Sequence, residues 1–115
     1  MVEWLRRGCL VQVTAGSLSG HFGKRAEATS HLLLERNWVH FIASDAHSLE
    51  KRPPAMGSAF EVLKTRYGQD AAERLCIGNP KAVFFGTKMT NQPKAIGLDR
   101  HKSSLGRFLH DAFRR

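Results

Sequence analysis

Two residues whose types could do chemistry, Asp45 and His47, stand just after a predicted strand. The run of residues 39–43 is apolar and partly β-branched, which predicts a buried strand. Side chains two apart on a strand point to the same side, so both groups should project together from its C-terminal end. In α/β folds that end of a strand is where chemistry is usually located. A carboxylate and an imidazole in this position could supply two ligands of a metal ion, and the others would have to come from elsewhere.

Each of these two residues also has a purely structural interpretation. Asp45 could cap a turn after the strand, and His47 could be a histidine of a surface loop. The histidines at positions 21, 31 and 40 lack the spacing of metal ligands, and His40 should lie on the strand face opposite Asp45. Asp45 and His47 are therefore the metal-ligand candidates.

The predicted elements alternate between helix and strand, with two strands in all. Strands separated by helices favour parallel pairing through crossover connections, and two strands alone leave both sheet edges open. Asn79 followed by Pro80 is typical of a helix N-cap with proline in the first turn. The chain is predicted to be an α/β piece of a larger architecture, with helices at 2–8, 22–36, 55–67, 70–75 and 80–86 and strands at 9–14 and 38–44.

The net charge of +8 is concentrated toward the C-terminus of the 115 residues. Residues 91–115 hold six basic and two acidic side chains, a net charge of +4. Apolar residues at 105, 108, 109 and 112 predict a basic amphipathic helix over residues 103–115. Such a helix could dock on the domain, or it could contact an anionic membrane surface or an acidic partner. Nucleic-acid binding is the rival interpretation of the charge, but no nucleic-acid motif accompanies it.

The sequence shows neither a transmembrane-length apolar run nor a signal peptide, so a cytoplasmic protein is expected. Its two cysteines, Cys9 and Cys76, form no CxxC motif and are predicted to be buried free thiols, with a disulfide or a zinc role as the alternatives.

Two segments carry a resemblance to a known family. Residues 10–23 (LVQVTAGSLSGHFG) and residues 39–47 (VHFIASDAH), the latter continuing to Arg52, resemble the C-terminal half of the bacterial capsule and exopolysaccharide tyrosine phosphatases. These enzymes are manganese-dependent members of the polymerase-and-histidinol-phosphatase (PHP) superfamily. The resemblance implies that residues 1–86 are the C-terminal part of a distorted (β/α) PHP barrel. Residues 87–115, which it does not cover, are expected from their charge to form a basic tail.

The resemblance also implies roles for particular residues. Asp45 and His47 would be metal ligands, and Arg52 would meet the substrate phosphate, although Arg52 could also be a solvated charge beside Lys51. The expected reaction is metal-assisted hydrolysis of a phosphomonoester, in which the ions lower the pKa of a bound water and clamp phosphoryl oxygens. An oxygen and an imidazole nitrogen suit manganese, and also iron, zinc or magnesium.

The ligands that the family takes from earlier motifs, an HxH pair, a glutamate and further histidines, are not found in this sequence. We therefore expect a truncated chain with weak metal affinity and negligible turnover on its own. The implied partner is a phosphotyrosine protein, in particular a membrane-associated tyrosine kinase of polysaccharide synthesis, and a homo-oligomer is a further expectation. The remaining alternatives are a small basic nucleic-acid-binding module and another PHP-type phosphoesterase such as histidinol phosphatase.

Overall fold

The computed structural model describes residues 1–99, and the predicted helix over residues 103–115 lies outside them. Five α-helices and two strands are present in this part of the chain, with a 3-10 helix after the first strand and a π-helical turn before the last helix. In chain order they are α1 (Val2–Arg6), β1 (Gln12–Thr14), the 3-10 helix (Ala15–Ser19), α2 (Lys24–Glu35), β2 (Phe41–Ala43), α3 (Gly57–Tyr67), α4 (Gln69–Glu73), the π-helical turn (Arg74–Gly78) and α5 (Asn79–Phe85).

The two strands pair in parallel, with Val13 opposite Ile42 at the centre of the register. The predicted α/β class and the two-stranded parallel sheet are confirmed, but both strands are shorter than predicted. At the start of the two strands, the imidazole Nδ1 of His40 accepts a hydrogen bond from the Val11 amide at 3.0 Å. The Val11 amide is therefore bonded to a side chain, and not to a backbone carbonyl of the neighbouring strand. At the end of β2 the backbone turns, because Asp45 has a φ of +52° that no strand residue adopts.

One face of the sheet packs against the helices and forms the core. Val13 and Ile42 are buried on that face, while Gln12 on the other face is exposed. The centre of the core is Leu63 of α3, which is fully buried. The buried cluster consists of Val13, Ala15, Leu18, Leu34, Val39, Ile42, Ala59, Leu63, Ala72 and Leu75. Because this core lies directly beneath β2, it fixes the base of the loop that follows the strand.

His31 of α2 is a buried structural residue. Its Nε2 faces the carbonyl oxygen of Leu18 at 3.2 Å, and its Nδ1 lies 2.6 Å from the hydroxyl of Tyr67. Since a carbonyl oxygen can only accept, Nε2 donates there and Nδ1 accepts from the hydroxyl. Both ring nitrogens are thus engaged in holding α2 to the 3-10 helix and to α3.

The prediction that Asn79 caps a separate last helix is wrong. Asn79 has helical dihedral angles of −65° and −47°, and α4, the π-helical turn and α5 follow one another without a break. Its side chain is buried and donates to the His40 carbonyl oxygen at 2.8 Å, and it exchanges two hydrogen bonds with the Gln92 amide. Asn79 therefore ties the helices to the segment that precedes β2.

Residues 87–99 contain no helix or strand, yet they are attached to the folded body. The Trp38 indole donates to the Ile96 carbonyl oxygen at 2.8 Å, and the Ile96 amide donates to the Arg36 carbonyl oxygen at 2.9 Å. The Arg6 guanidinium donates to the Leu98 carbonyl oxygen at 2.8 Å.

Of the two cysteines, Cys76 is half-buried, and burial raises the pKa of its thiol, whereas Cys9 is exposed, contrary to prediction. In the described part of the chain, the helices are all too short or too polar to cross a membrane.

His40 should make the stability of the chain depend on pH. Burial, and then the positive charge of Arg74, lower the pKa of His40 below its ordinary 6.5. The unfolded chain therefore takes up this proton at a higher pH than the folded chain, so the contribution of His40 is complete above 6.5 and is lost as the pH falls toward the lowered pKa. We expect urea unfolding to show lower stability at about pH 5.5 than at about pH 7.5.

The variant His40→Asn should weaken that dependence, because an amide oxygen can accept the Val11 hydrogen bond without titrating. His21→Asn, at an exposed position, is the matched control and should keep the dependence of the unchanged chain. An equal loss of stability on acidification in the His40→Asn variant would show that His40 does not carry the effect.

Candidate functional site

The candidate site is the loop that follows β2, and its backbone is bent back on itself. The amides of His47 and Ser48 both donate to the Arg52 carbonyl oxygen, at 3.0 and 3.3 Å. The Ser48 hydroxyl accepts from the amides of Lys51 and Arg52, each at 3.0 Å. These bonds close the loop over residues 47–52 and return Arg52 to the end of the strand.

The structure brings the three predicted site residues together. An Nη2 of Arg52 donates to Oδ2 of Asp45, and His47 Nδ1 lies 3.9 Å from Oδ1 of the same carboxylate. The side chains of Asp45, His47 and Arg52 are 40%, 60% and 35% exposed, so the group is open to solutes. Asp45 and His47 meet because the loop turns at the positive φ of Asp45, and not through alternation along a strand, which ends at Ala43.

The hydrogen bond of His47 determines which ring nitrogen is free. Its Nδ1 lies 2.7 Å from the backbone carbonyl oxygen of Asp45. Because a carbonyl oxygen can only accept, this contact assigns the proton to Nδ1. In the neutral ring Nε2 then keeps its lone pair, the arrangement in which a second hydrogen bond orients a metal-binding histidine.

Phe22, in the loop after β1, completes the group. The guanidinium carbon of Arg52 lies 5.4 Å from the centroid of the Phe22 ring, within the range of a cation–π contact. The loops after β1 and β2 lie side by side because the C-terminal ends of parallel strands meet at one edge of the sheet. Phe22 and Ser48 are not identified from the sequence, although a serine three and four residues before Lys51 and Arg52 is a signal for the loop closure.

Asp45 and His47 offer donor atoms of the kinds that bind metal ions, but they are only two. An aspartate oxygen and a histidine nitrogen are ligands that manganese, iron, zinc and magnesium proteins use. Among residues 1–99, no group of three or more His, Cys, Asp or Glu side chains could hold a metal ion. The arrangement can therefore offer two protein ligands and a neighbouring guanidinium suited to an anion.

Comparison with known proteins identifies the family of the chain. The model of the family described as "Capsular polysaccharide synthesis, CpsB/CapC" matches residues 1–85. The tyrosine-protein phosphatase CpsB of Streptococcus pneumoniae is 33% identical over 87 residues, which are 71% of this chain and 36% of that protein. The tyrosine-protein phosphatase YwqE of Bacillus subtilis is 41% identical over 66 residues, which are 57% of this chain and 26% of that protein.

A solved structure shows the same fold. It comes from the crystal structures of YwqE from Bacillus subtilis and CpsB from Streptococcus pneumoniae, which are described as unique metal-dependent tyrosine phosphatases. The TM-score is 0.73 and the identity 31%, over 83% of this chain and 38% of that one. This chain spans between about a quarter and two fifths of the length of these relatives. The resemblance read from residues 10–23 and 39–47 is confirmed, and the chain belongs to the CpsB/CapC family of capsular polysaccharide synthesis.

Proposed function

We propose that the chain takes part in metal-dependent hydrolysis of phosphotyrosine in proteins, with Asp45 and His47 holding a divalent ion and Arg52 binding the phosphate. The observation that carries the proposal is the meeting of these three side chains at the C-terminal end of β2. Family membership supports it, since the relatives are tyrosine-protein phosphatases and two of them are described as metal-dependent.

Asp45 and His47 fit a divalent ion by their chemistry. Asp45 offers an anionic oxygen, and His47 offers the lone pair of Nε2 because its Nδ1 is bound to a carbonyl oxygen. Manganese is the proposed metal, with iron, zinc and magnesium as alternatives. When bound, such an ion supplies a Lewis acid that polarises a phosphoryl oxygen or a water molecule. Two protein ligands make the affinity of this chain weak.

Arg52 is suited to the phosphate because one contact does not exhaust its donors. The guanidinium has five N–H groups in a planar fork, and one terminal nitrogen donates to Asp45. The remaining donors can bind phosphate oxygens as a bidentate pair. The positive charge of Arg52 also offsets the repulsion that the Asp45 carboxylate would exert on a phosphate dianion.

The proposal also covers the fold around the site, the substrate and the cellular location of the protein. Residues 1–86 would be the C-terminal part of a distorted (β/α) barrel, and residues 87–115 a basic tail that could contact a membrane surface. The substrate would be a phosphotyrosine protein, specifically a membrane-associated tyrosine kinase of polysaccharide synthesis. We propose a cytoplasmic location, which suits the free thiols of Cys9 and Cys76.

The binding of phosphotyrosine in the presence of Mn²⁺, measured by calorimetry, tests this proposal. Arg52→Gln should weaken binding roughly tenfold or more, the loss expected when hydrogen bonds to a charged group are removed. Lys51→Gln removes the same charge from the neighbouring exposed residue and should change affinity less than about threefold. Equal affinities of the Arg52→Gln and Lys51→Gln variants would refute the role of Arg52. Because this chain offers only two metal ligands, we expect it to bind phosphotyrosine without appreciable phosphate release. Rapid Mn²⁺-dependent release would contradict the expectation that two ligands are too few for turnover.

A further inference from the structure

The contact between Phe22 and Arg52 joins the two loops at the C-terminal edge of the sheet. The guanidinium carbon lies 5.4 Å from the ring centroid, and Phe22 keeps 44% of its surface exposed. Phe22 is therefore not a core residue, and burial of apolar surface does not by itself explain why it lies on Arg52.

The loop after β1 holds Phe22 in this position. A Cβ at Gly16 would lie 3.1 Å from Cε2 of Phe22 and 3.3 Å from Cβ of His21, so the glycine leaves the space that these side chains use. The His21 amide donates to the Gly16 carbonyl oxygen at 3.0 Å. The imidazole of His21 packs edge-on against the Phe22 ring, with centroids 5.0 Å apart. Gly16 and His21 thus hold the Phe22 ring in place.

A hydrogen bond and a cation–π contact draw on a guanidinium in different ways. The Asp45 carboxylate takes an N–H donor of Arg52, whereas the attraction of the Arg52 charge to the Phe22 ring uses no N–H donor. An aromatic contact can therefore hold Arg52 in place without competing with an anion for its hydrogen bonds. Because it does not involve Asp45, this contact would also be kept if the Asp45 carboxylate bound a metal ion.

We propose that Phe22 is a positioning residue for Arg52, so that the loop after β1 orients the guanidinium for phosphate at the site formed by the loop after β2. This inference rests on the proposed phosphate-binding role of Arg52. It assigns to Phe22 no contact with the reacting atoms. Its effect is exerted through the orientation of Arg52.

Two substitutions at Phe22 distinguish an effect of the aromatic ring from an effect of side-chain size. Phe22→Leu removes the π face and keeps an apolar side chain, while Phe22→Tyr keeps the face. Phe85→Leu, at a position 65% exposed in α5, is the matched control. Two quantities are measured: the affinity for phosphotyrosine in the presence of Mn²⁺, and the NMR resonance of the Arg52 Nε–H group, assigned by its loss in Arg52→Lys.

In the unchanged protein the Arg52 resonance should be shifted by the ring current of Phe22. Phe22→Leu should move it toward the position of a free arginine and weaken phosphotyrosine binding roughly two- to fivefold, the range for an exposed cation–π contact. Phe22→Tyr and Phe85→Leu should retain both the shift and the affinity.

The inference is overturned if Phe22→Leu leaves the Arg52 resonance and the affinity unchanged, or if Phe22→Tyr loses as much as Phe22→Leu. A failure of the proposed function has a different signature, since the unchanged chain would then bind no phosphotyrosine at all. In that case the Arg52 resonance still tests the positioning role of Phe22. If this resonance does not move in Phe22→Leu, the positioning role is overturned.

Discussion

Asp45→Asn is expected to abolish measurable Mn²⁺ binding by the chain. The substitution replaces an anionic oxygen by a neutral amide and leaves His47 as the one remaining ligand of the pair. Affinity should fall by at least about tenfold, because even changes to groups that merely support metal ligands cost 10–100-fold. The fold should persist, since Asp45 is exposed and asparagine tolerates the left-handed φ of +52° at this position. The measurement is a titration with Mn²⁺ in which the free ion is followed by electron paramagnetic resonance.

Asp70→Asn provides the control for charge. Asp70 is an exposed aspartate of α4, so its substitution lowers the negative charge of the chain equally without altering the loop after β2. Mn²⁺ affinity should stay close to that of the unchanged chain in this variant. If Asp45→Asn and Asp70→Asn bind Mn²⁺ equally well, Asp45 is not a ligand.

Leu63→Ala should cause a large loss of stability. Leu63 is fully buried at the centre of the core, and truncation of such a leucine costs about 2–5 kcal/mol through lost transfer free energy and the cavity that remains. A domain of this size is stabilised by only about 5–15 kcal/mol in total. The free energy of unfolding, measured with urea, should therefore fall by about 2–5 kcal/mol in Leu63→Ala. Leu49→Ala, at a residue 87% exposed, should change it by less than about 0.5 kcal/mol.

The same substitution tests how the core supports the site. Ile42 of β2 belongs to the cluster around Leu63 and stands three residues before Asp45. Phosphotyrosine and Mn²⁺ binding should therefore weaken in Leu63→Ala under conditions where part of the chain unfolds. Similar stabilities for Leu63→Ala and Leu49→Ala would mean that the core described around α3 is not the structural support of the chain.

The order of helices and strands could be predicted from the sequence because its signals are local. The apolar run at residues 39–43 indicates β2, and glycines 68 and 86 mark the ends of α3 and α5. The ends of the strands could not be predicted, because they depend on tertiary contacts. The Val11 amide donates a hydrogen bond to the side chain of His40, and no pattern in residues 9–14 predicts that partner.

The error at Asn79 has a similar cause. Asparagine before proline is typical of a helix start, because the side chain can cap the first turn and proline needs no amide partner. Here the Asn79 amide group instead bonds the His40 carbonyl oxygen, 39 residues away, and Gln92. Such distant hydrogen bonds outweigh a local preference, and they are invisible in one sequence.

Asp45, His47 and Arg52 could be proposed from the sequence, but their arrangement could not. Strand alternation was expected to align Asp45 with His47, whereas a positive φ at Asp45 and the closure of the loop by Ser48 bring them together. The ion pair between Asp45 and Arg52 depends on that closure, since seven positions separate the two residues. The contact of Phe22 with Arg52 comes from the loop after β1, and predicting it would require knowledge of the parallel pairing of the two strands.

The most direct test of the central claim, that Asp45 and His47 share a divalent ion, is the nitrogen NMR spectrum of the His47 ring during titration with Zn²⁺, a diamagnetic substitute for Mn²⁺. Nε2 of His47 should move to the position of a metal-bound nitrogen while Nδ1 keeps its proton, and Asp45→Asn should abolish the change. A His47 ring whose nitrogens do not respond to Zn²⁺, or respond equally in the Asp45→Asn variant, would contradict the claim.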